Sequence, residues 1–461
     1  MSRQKQQYDR NRQRPRTTSA SSRPSVRKIE QERSEKRKRP IAVPSPHGNT
    51  ILMTRRRFLY GALGIGAASI AAGGAIAVGS AAKSKSGTVS YLHVTDTQVI
   101  SLADLTEVTQ DEAVSQAGSY TVPFGTLVWA GNAAVAACLI PTASSHPLST
   151  VSLLRLSDGS QIPVLDKAQG NDENFEIYDV RCSDHGLIWT EANILEGYWR
   201  IYVAPLSSSL ALGSVRLVDE GGSNVETPTI GIVGDRAFWV VMPSATADDA
   251  KTGDARLKGA YVSSGSAEDL YISKGSMATP LYAGNSGVAI SPRNASSNSY
   301  YDLVYVDAQN GNVLDSITLP SGMKPIEIGY GSTGFSFCFE SIYSYGDGIA
   351  NLGTYTPLQQ PSTGRYDTAQ WFRFGKTPLS APCWCGSYFV VKSTQTVCFV
   401  NLSNRTYCTL DTESGCSDWG DYLASTGTVD QVVSIMTIDQ TNTSGESDRS
   451  CHVRIWTPTS A

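Results

Sequence analysis

The sequence predicts an all-β fold, a β-propeller of seven blades, preceded by a signal or anchor helix and a disordered basic tail. Two observations carry the propeller. After Ser86 helical periodicity gives way to short β-branched and aromatic runs set between Gly, Asn, Asp, Ser and Pro clusters, the pattern of strands and turns. A turn residue followed by a hydrophobic run also recurs, ending at Trp129, Trp189, Trp239, Ile290, Phe337, Val390 and Ser434, spaced 44 to 60 residues apart and about 51 on average. Repeats of that period, each with room for three or four antiparallel strands, suit a ring of sheets, because radial packing hides strand edges that a long open sheet would expose. Several units are faint, so six or eight blades fit as well. The composition agrees with a globular, turn-rich chain: 40% hydrophobic, 17% charged, 41 Gly and 21 Pro in 461 residues.

The chain divides into a basic tail (1–53), an apolar segment with its flanks (54–85) and the propeller (88–461). The net charge of −4 conceals a split: residues 1–57 hold 17 basic and 4 acidic side chains, leaving 21 basic and 38 acidic in the remainder. The tail has too few apolar residues to offset its ordering entropy, so it reads as disordered. Its Lys36–Arg39 run has the form of a nucleic-acid tail or nuclear signal, but the segment behind it accounts better for the charge. The acidic body is a poor partner for nucleic acid, whose binding depends on phosphate neutralisation, and for an anionic membrane surface.

Residues 58–82 carry no charge, and 15 of these 25 residues are Ala or Gly. As a helix the stretch is about 37 Å long, enough to cross a hydrocarbon core. With Thr54, Arg55, Arg56, Arg57, Phe58 and Leu59 ahead of it, it resembles a twin-arginine export signal. The resemblance implies passage through the twin-arginine translocase and an extracytoplasmic body, anchored or secreted, with the tail cytoplasmic if the signal is uncleaved. An ordinary anchor with basic residues inside is the plainer reading. Small-residue patterns at Ala75–Ala77 and Gly79–Ala81 suit cleavage, and Met53 is an alternative start.

Within the body, Leu303–Asp307 followed by Gln309-Asn310-Gly311 reads as a strand and a hairpin turn. Val288–Pro292, Tyr301–Gly311 and Val313–Pro320 together resemble the TolB/YncE-like propellers. The last unit has strands at Tyr422–Thr426, Val432–Ile438 and Cys451–Trp456, and the N-terminal stretch Val89–Leu105 is expected to supply its outer strand. Aromatic residues at the repeated positions read as packing between blades.

Chemistry is sparse. No Gly-x-Ser-x-Gly elbow, Walker loop, His-Glu-x-x-His helix or Rossmann glycine pattern occurs. The five histidines are scattered, and His93 with Asp96 forms the first pair to test. Asp172-Glu173 and Asp248-Asp249 read as solvated loop charges, with calcium as the alternative. Six of nine cysteines fall in the last 79 residues. Zinc at Cys383-x-Cys385, disulfides and buried thiols are the three readings. A turn centred near Ser403 sets Cys398 opposite Cys408, close enough for a disulfide, whereas a one-residue shift would put them on opposite faces. No cofactor is expected. Three function classes follow: a binding or scaffold module holding a protein or peptide ligand on the ring face; an extracytoplasmic lyase or hydrolase with an axial polar or metal site; and a redox protein.

Overall fold

The computed structural model describes residues 41–44, 50–53 and 89–459, except 245–246, 251, 298, 340–347, 350–351, 377, 379, 393–395, 417–419 and 442–446. A small unit in the N-terminal part pairs Ile41–Pro44 with Thr50–Met53 in an antiparallel ladder. Everything else described belongs to a second unit built of strands.

Seven sheets of four to six strands follow one another along this unit. Sheet I holds Leu127–Trp129, Val135–Pro141, Ser149–Arg155 and Gln161–Leu165. Sheet II holds Glu176–Cys182, Gly186–Asn193, Tyr198–Pro205 and Arg216–Gly221. Sheet III holds Thr229–Val233, Arg236–Val241, Asp254–Tyr261 and Glu268–Lys274. Sheet IV holds Tyr282–Ala283, Gly287–Ile290, Asp302–Asp307 and Val313–Thr318. Sheet V has Glu327–Gly331, Gly334–Phe339, Gly353–Pro357 and Trp371–Phe374. Sheet VI has Cys383–Cys385, Tyr388–Lys392, Val397–Asn401 and Thr406–Thr409. Sheet VII runs Tyr422–Leu423, Val432–Thr441, Ser447–Pro458 and then Val114–Pro123.

Apolar faces join each sheet to the next. Leu153 and Trp189 share a core cluster between I and II, and Trp199 and Trp239 share one between II and III. Phe238 and Val304 share a cluster between III and IV, and one large cluster runs from Tyr305 through Phe337 to Phe389 across IV, V and VI. Phe399 and Trp456 share a cluster between VI and VII, and Val433 and Ala136 share one between VII and I. The last cluster closes the ring. The fold is a β-propeller.

Local chemistry explains the strands. At the Gln309-Asn310-Gly311 hairpin, Asp307 Oδ1 accepts the amides of Gln309 and Asn310 at 2.7 and 3.0 Å, and Gly311 takes φ +73°, which favours glycine. Six of the seven recurrent hydrophobic runs lie on the second strand of their sheets. The run ending at Trp129 instead lies on the innermost strand of sheet I, which explains why the first spacing was the longest.

The closing strand differs from expectation. Val89–Leu105 is interrupted by 3-10 turns at Asp96–Gln98 and Leu102–Asp104, the second capped by Asp104 accepting the Ser101 amide at 2.7 Å. A single helical turn follows at Gln110–Ala113, where Glu112 accepts the Thr109 amide at 2.8 Å. Only beyond it can the chain run straight, and Val114–Pro123 pairs antiparallel with Ser450–Pro458. The earlier stretch adds short parallel edges instead, Val99–Ser101 on sheet V and Thr106–Glu107 on sheet VI.

Candidate functional site

Alternating strand direction places two sets of loops on one face of the ring: those entering each innermost strand and those joining the second strand to the third. We call this the upper face. The innermost strands surround the axis, where a propeller can gather residues distant in sequence.

Here the axis is crossed by the chain itself. After Tyr422–Leu423 the segment 424–430 leaves sheet VII. Ser425 pairs with Ala130 of sheet I, and Gly427–Val429 pairs in parallel with Cys383–Cys385 of sheet VI. Thr428 exchanges two hydrogen bonds with the Asn285 side chain near sheet IV, both 2.8 Å, and the Gly427 amide donates to Tyr282 Oη at 2.6 Å. That tyrosine donates in turn to the Pro382 carbonyl at 2.7 Å. Gly427 has φ +82°, and a Cβ there would lie 3.0 Å from Asn285 Oδ1, so a side chain is disfavoured twice. The segment is thus bonded to sheets I, IV and VI and lies among the innermost strands.

Two charged features flank that axis. On sheet II Arg181 pairs with Asp179 and stacks 4.5 Å over the Trp129 ring of sheet I. Burial raises the Asp179 carboxyl above its ordinary range, against the pull of Arg181. Glu327, first residue of the innermost strand of sheet V, is half-buried, pairs through its backbone with Cys338, and has no hydrogen-bond or ion-pair partner for its carboxylate among the described residues. Burial pushes its carboxyl up to about 7. The folded chain therefore holds a proton here that the unfolded chain releases near its ordinary 4.5, so stability falls as pH rises through that window. Glu327→Gln should leave stability unchanged at pH 4.5 and raise it by on the order of 2 kcal/mol at pH 8. Urea unfolding of both proteins at the two pH values checks this, and equal gains at both would refute the titration.

A dense buried polar group lies high in the interface between sheets VI and VII. Arg454 forms a bidentate pair with Asp421, stacks 4.7 Å over Trp456 and donates to the Asp411 carbonyl at 2.8 Å. Ser434 Oγ donates to Asp421 at 2.7 Å while accepting the Trp456 indole N–H at 2.9 Å. Lys392, buried 5.1 Å from the Tyr422 ring, is pushed down to about 8 by burial, with Asp421 opposing the shift. His452 meets Glu413 at 2.7 Å beside them. Every carboxylate and guanidinium here faces a partner, so the group holds two sheets together rather than presenting a reactive atom.

The sequence candidates disperse. His93 and Asp96 are both exposed, on the outer segment before sheet V. Glu173 pairs with Arg200 at 2.8 Å and Asp172 approaches Lys167 at 3.9 Å. Asp248 and Asp249 line a cleft of about 390 Å³ on the upper face of sheet III with Asn224, Met242 and Asp254. Lys274 and Arg256 hold the Asp254 carboxyl below its usual range. No group of three or more His, Cys, Asp or Glu among the described residues is arranged to hold a metal ion.

The cysteine register differs as well. Phe399 faces Cys408 and Cys398 faces Thr409, one residue away from the expected pairing. The turn residues 402–405 are even in number, so the ladder has no central residue, and Arg405 takes φ +55° to close it. Cys398 therefore packs in the cluster shared with sheet V and Cys408 in that shared with sheet VII, and both are free thiols in this structure. Cys383 and Cys385 share one face, packed among apolar residues as free thiols. The export residues Arg55, Arg56, Phe58 and Leu59 lie outside the described residues. Among the described residues no helix is long and apolar enough to cross a membrane.

Comparison with known proteins bears on the fold only. No family model and no curated protein matches the chain. Among solved structures it is similar to an oligogalacturonate lyase from Vibrio parahaemolyticus, at 10% identity, TM-score 0.41, covering 74% of this chain and 97% of that one. It is similar to the β-propeller domain of the Trilobed protease from Pyrococcus furiosus, at 11% identity, TM-score 0.37, covering 60% and 83%. A chain of the S. cerevisiae complex of dbp5 with nup159 and gle1 aligns at 10% identity, TM-score 0.42, covering 78% and 99%.

Proposed function

We propose that this chain is an exported cell-envelope protein, held at the membrane by residues 58–82, whose propeller is a binding or scaffold module for a protein or peptide. The segment 424–430 carries this reading. It occupies the axis, the place where an axial polar or metal site for lyase or hydrolase chemistry would lie. What stays available for recognition is the loop surface of the ring. We read the ring as seven-bladed, one blade per sheet, and as related to the TolB/YncE-like propellers through residues 288–320. Glu327 favours the enzymatic alternative, since a half-buried carboxyl near neutrality suits general acid–base work.

Elemental analysis and intact mass of the purified full chain separate these readings. A metal-free chain of unmodified mass is expected, and a stoichiometric metal or small molecule would favour the enzyme. Export has its own test. Arg55→Lys together with Arg56→Lys preserves charge but removes the arginine pair that the translocase reads. The double variant should accumulate in the cytoplasm, and normal surface display by cell fractionation would leave a plain anchor.

A further inference from the structure

Nine large hydrophobic side chains are exposed among the described residues, and four of them lie on two neighbouring upper-face loops. Leu148, in the loop between Pro141 and Ser149 of sheet I, is 51% exposed. Ile194, Leu195 and Tyr198, in the Asn193–Tyr198 hairpin of sheet II, are 50%, 70% and 52% exposed. The remaining five lie elsewhere on the ring. A hairpin tip has no need of two adjacent aliphatic residues, since turns favour Gly, Asn, Asp and Ser.

Hydrogen bonds fix the two loops to one turn between them. His146 Nε2 meets the Asn171 carbonyl at 2.9 Å, and the Leu148 amide donates to Glu176 at 2.8 Å. From the other side, Asn193 Nδ2 donates to the Glu173 carbonyl at 3.2 Å, and Arg200 pairs with the Glu173 carboxylate at 2.8 Å. The apolar residues therefore flank the 171–173 turn on a framed surface.

The charge around them is net negative. Residues 166–176 and 193–200 contain five Asp or Glu against Lys167 and Arg200. Arg200 is engaged by both Glu173 and Glu220. Asp172 is 94% exposed and Glu173 63%, and Glu196 is exposed beside Leu195. An anionic lipid surface would be repelled by this rim, while a cationic polypeptide would be drawn to it.

We propose that these loops of sheets I and II form the docking surface for a basic, amphipathic segment of a partner protein. Its aliphatic or aromatic side chain rests on Leu148, Ile194, Leu195 and Tyr198, and its flanking Lys or Arg residues pair with Asp172, Glu173 and Glu196. The proposal rests on the binding-module reading and gives it a location and a ligand chemistry. Apolar anchors supply the affinity, and the acidic rim supplies orientation and salt dependence.

The test uses the full chain in zwitterionic nanodiscs and fluorescence anisotropy with three labelled peptides. One carries Leu and Phe flanked by Arg, one has those apolar residues changed to Ser, and one has Arg changed to Glu. Only the first should bind. Ile194→Ser with Leu195→Ser should weaken it by about 10-fold or more, and Asp172→Asn with Glu196→Gln should weaken it by a few-fold and flatten its salt dependence. Both double variants change only exposed side chains, and an unchanged thermal midpoint certifies their fold. Equal binding by the variants would overturn this location while leaving the binding-module reading standing. No binding of any peptide would overturn the proposal, and the metal and mass analysis would still judge the module reading. Equal binding of the Ser peptide would reduce the effect to charge alone and overturn it. Loop-dependent binding to anionic vesicles, or loop-dependent self-association without peptide, would assign the surface to lipid or to a second copy and overturn it too.

Discussion

Removing residues 1–123 should abolish folding of the propeller, whereas removing residues 1–88 should leave it intact. The largest part of the difference lies in Val114–Pro123, beside the short edges and the buried Leu92 and Val94 of the preceding segment. This strand forms nine residue pairs with Ser450–Pro458 and supplies the outer edge of sheet VII. It also buries Val114 between sheets VI and VII, and Val122 between VII and I. Without it, sheet VII would present an open edge of backbone donors and acceptors, and both of its interfaces would lose apolar cover. The lost ladder and burial together rival the whole stability of an ordinary domain, about 5–15 kcal/mol. Circular dichroism and calorimetry of the two truncations decide the matter. A cooperative transition in the shorter chain would mean that the ring closes without its N-terminal strand.

This closure also shows which parts of the fold were legible. Hairpins were readable wherever local chemistry sets the turn, as at Asp307 and Gly311, and the period emerged because second strands repeat one burial pattern. The run at Trp129 deceived because an innermost strand can carry the same local pattern as a second strand. Closure went to a later stretch than expected because the capping chemistry of Ser101, Asp104, Thr109 and Glu112 interrupts the chain before Val114. For Cys398 and Cys408, an even-numbered turn moved the register by one residue and sent the thiols to separate cores.

The centre of the ring was far less legible. Asn285 and Thr428 are 143 residues apart, and neither Asn-Ser-Gly nor Gly-Thr-Val has a local signature of mutual recognition. Glu327 gave no signal because an isolated Glu at a strand start looks solvated until neighbouring strands enclose it. The loop residues Ile194 and Leu195 were visible in the sequence, but their exposure was not, since an aliphatic pair ordinarily reads as core.

Asp421→Asn should destabilise the chain by about 3–5 kcal/mol, the usual result of leaving one member of a buried ion pair behind. Asp421 and Arg454 are both almost wholly buried and joined by two hydrogen bonds, and Ser434 donates a third to the carboxylate. The nearly isosteric amide removes the charge and leaves Arg454 and Lys392 as neighbouring cations in a dry interface. Arg454→Met should do less damage, because Lys392 remains to balance Asp421 and the methionine chain can lie over Trp456, where the guanidinium now stacks. The double variant should be less destabilised than the sum of the single ones, since each single change leaves a charge that the other removes. The Asp421→Asn loss should also shrink at high pH. Lys392 already releases its proton near 8 with Asp421 beside it, and without that carboxylate it will do so at lower pH. At pH 9 the buried ammonium is then neutral and no longer repels Arg454, so the penalty is largest near pH 6. Urea midpoints of the four proteins at pH 6 and pH 9 provide the measurement. A loss below about 1 kcal/mol for Asp421→Asn, the range of an exposed pair, would mean that water reaches this interface and that the network does not lock sheets VI and VII.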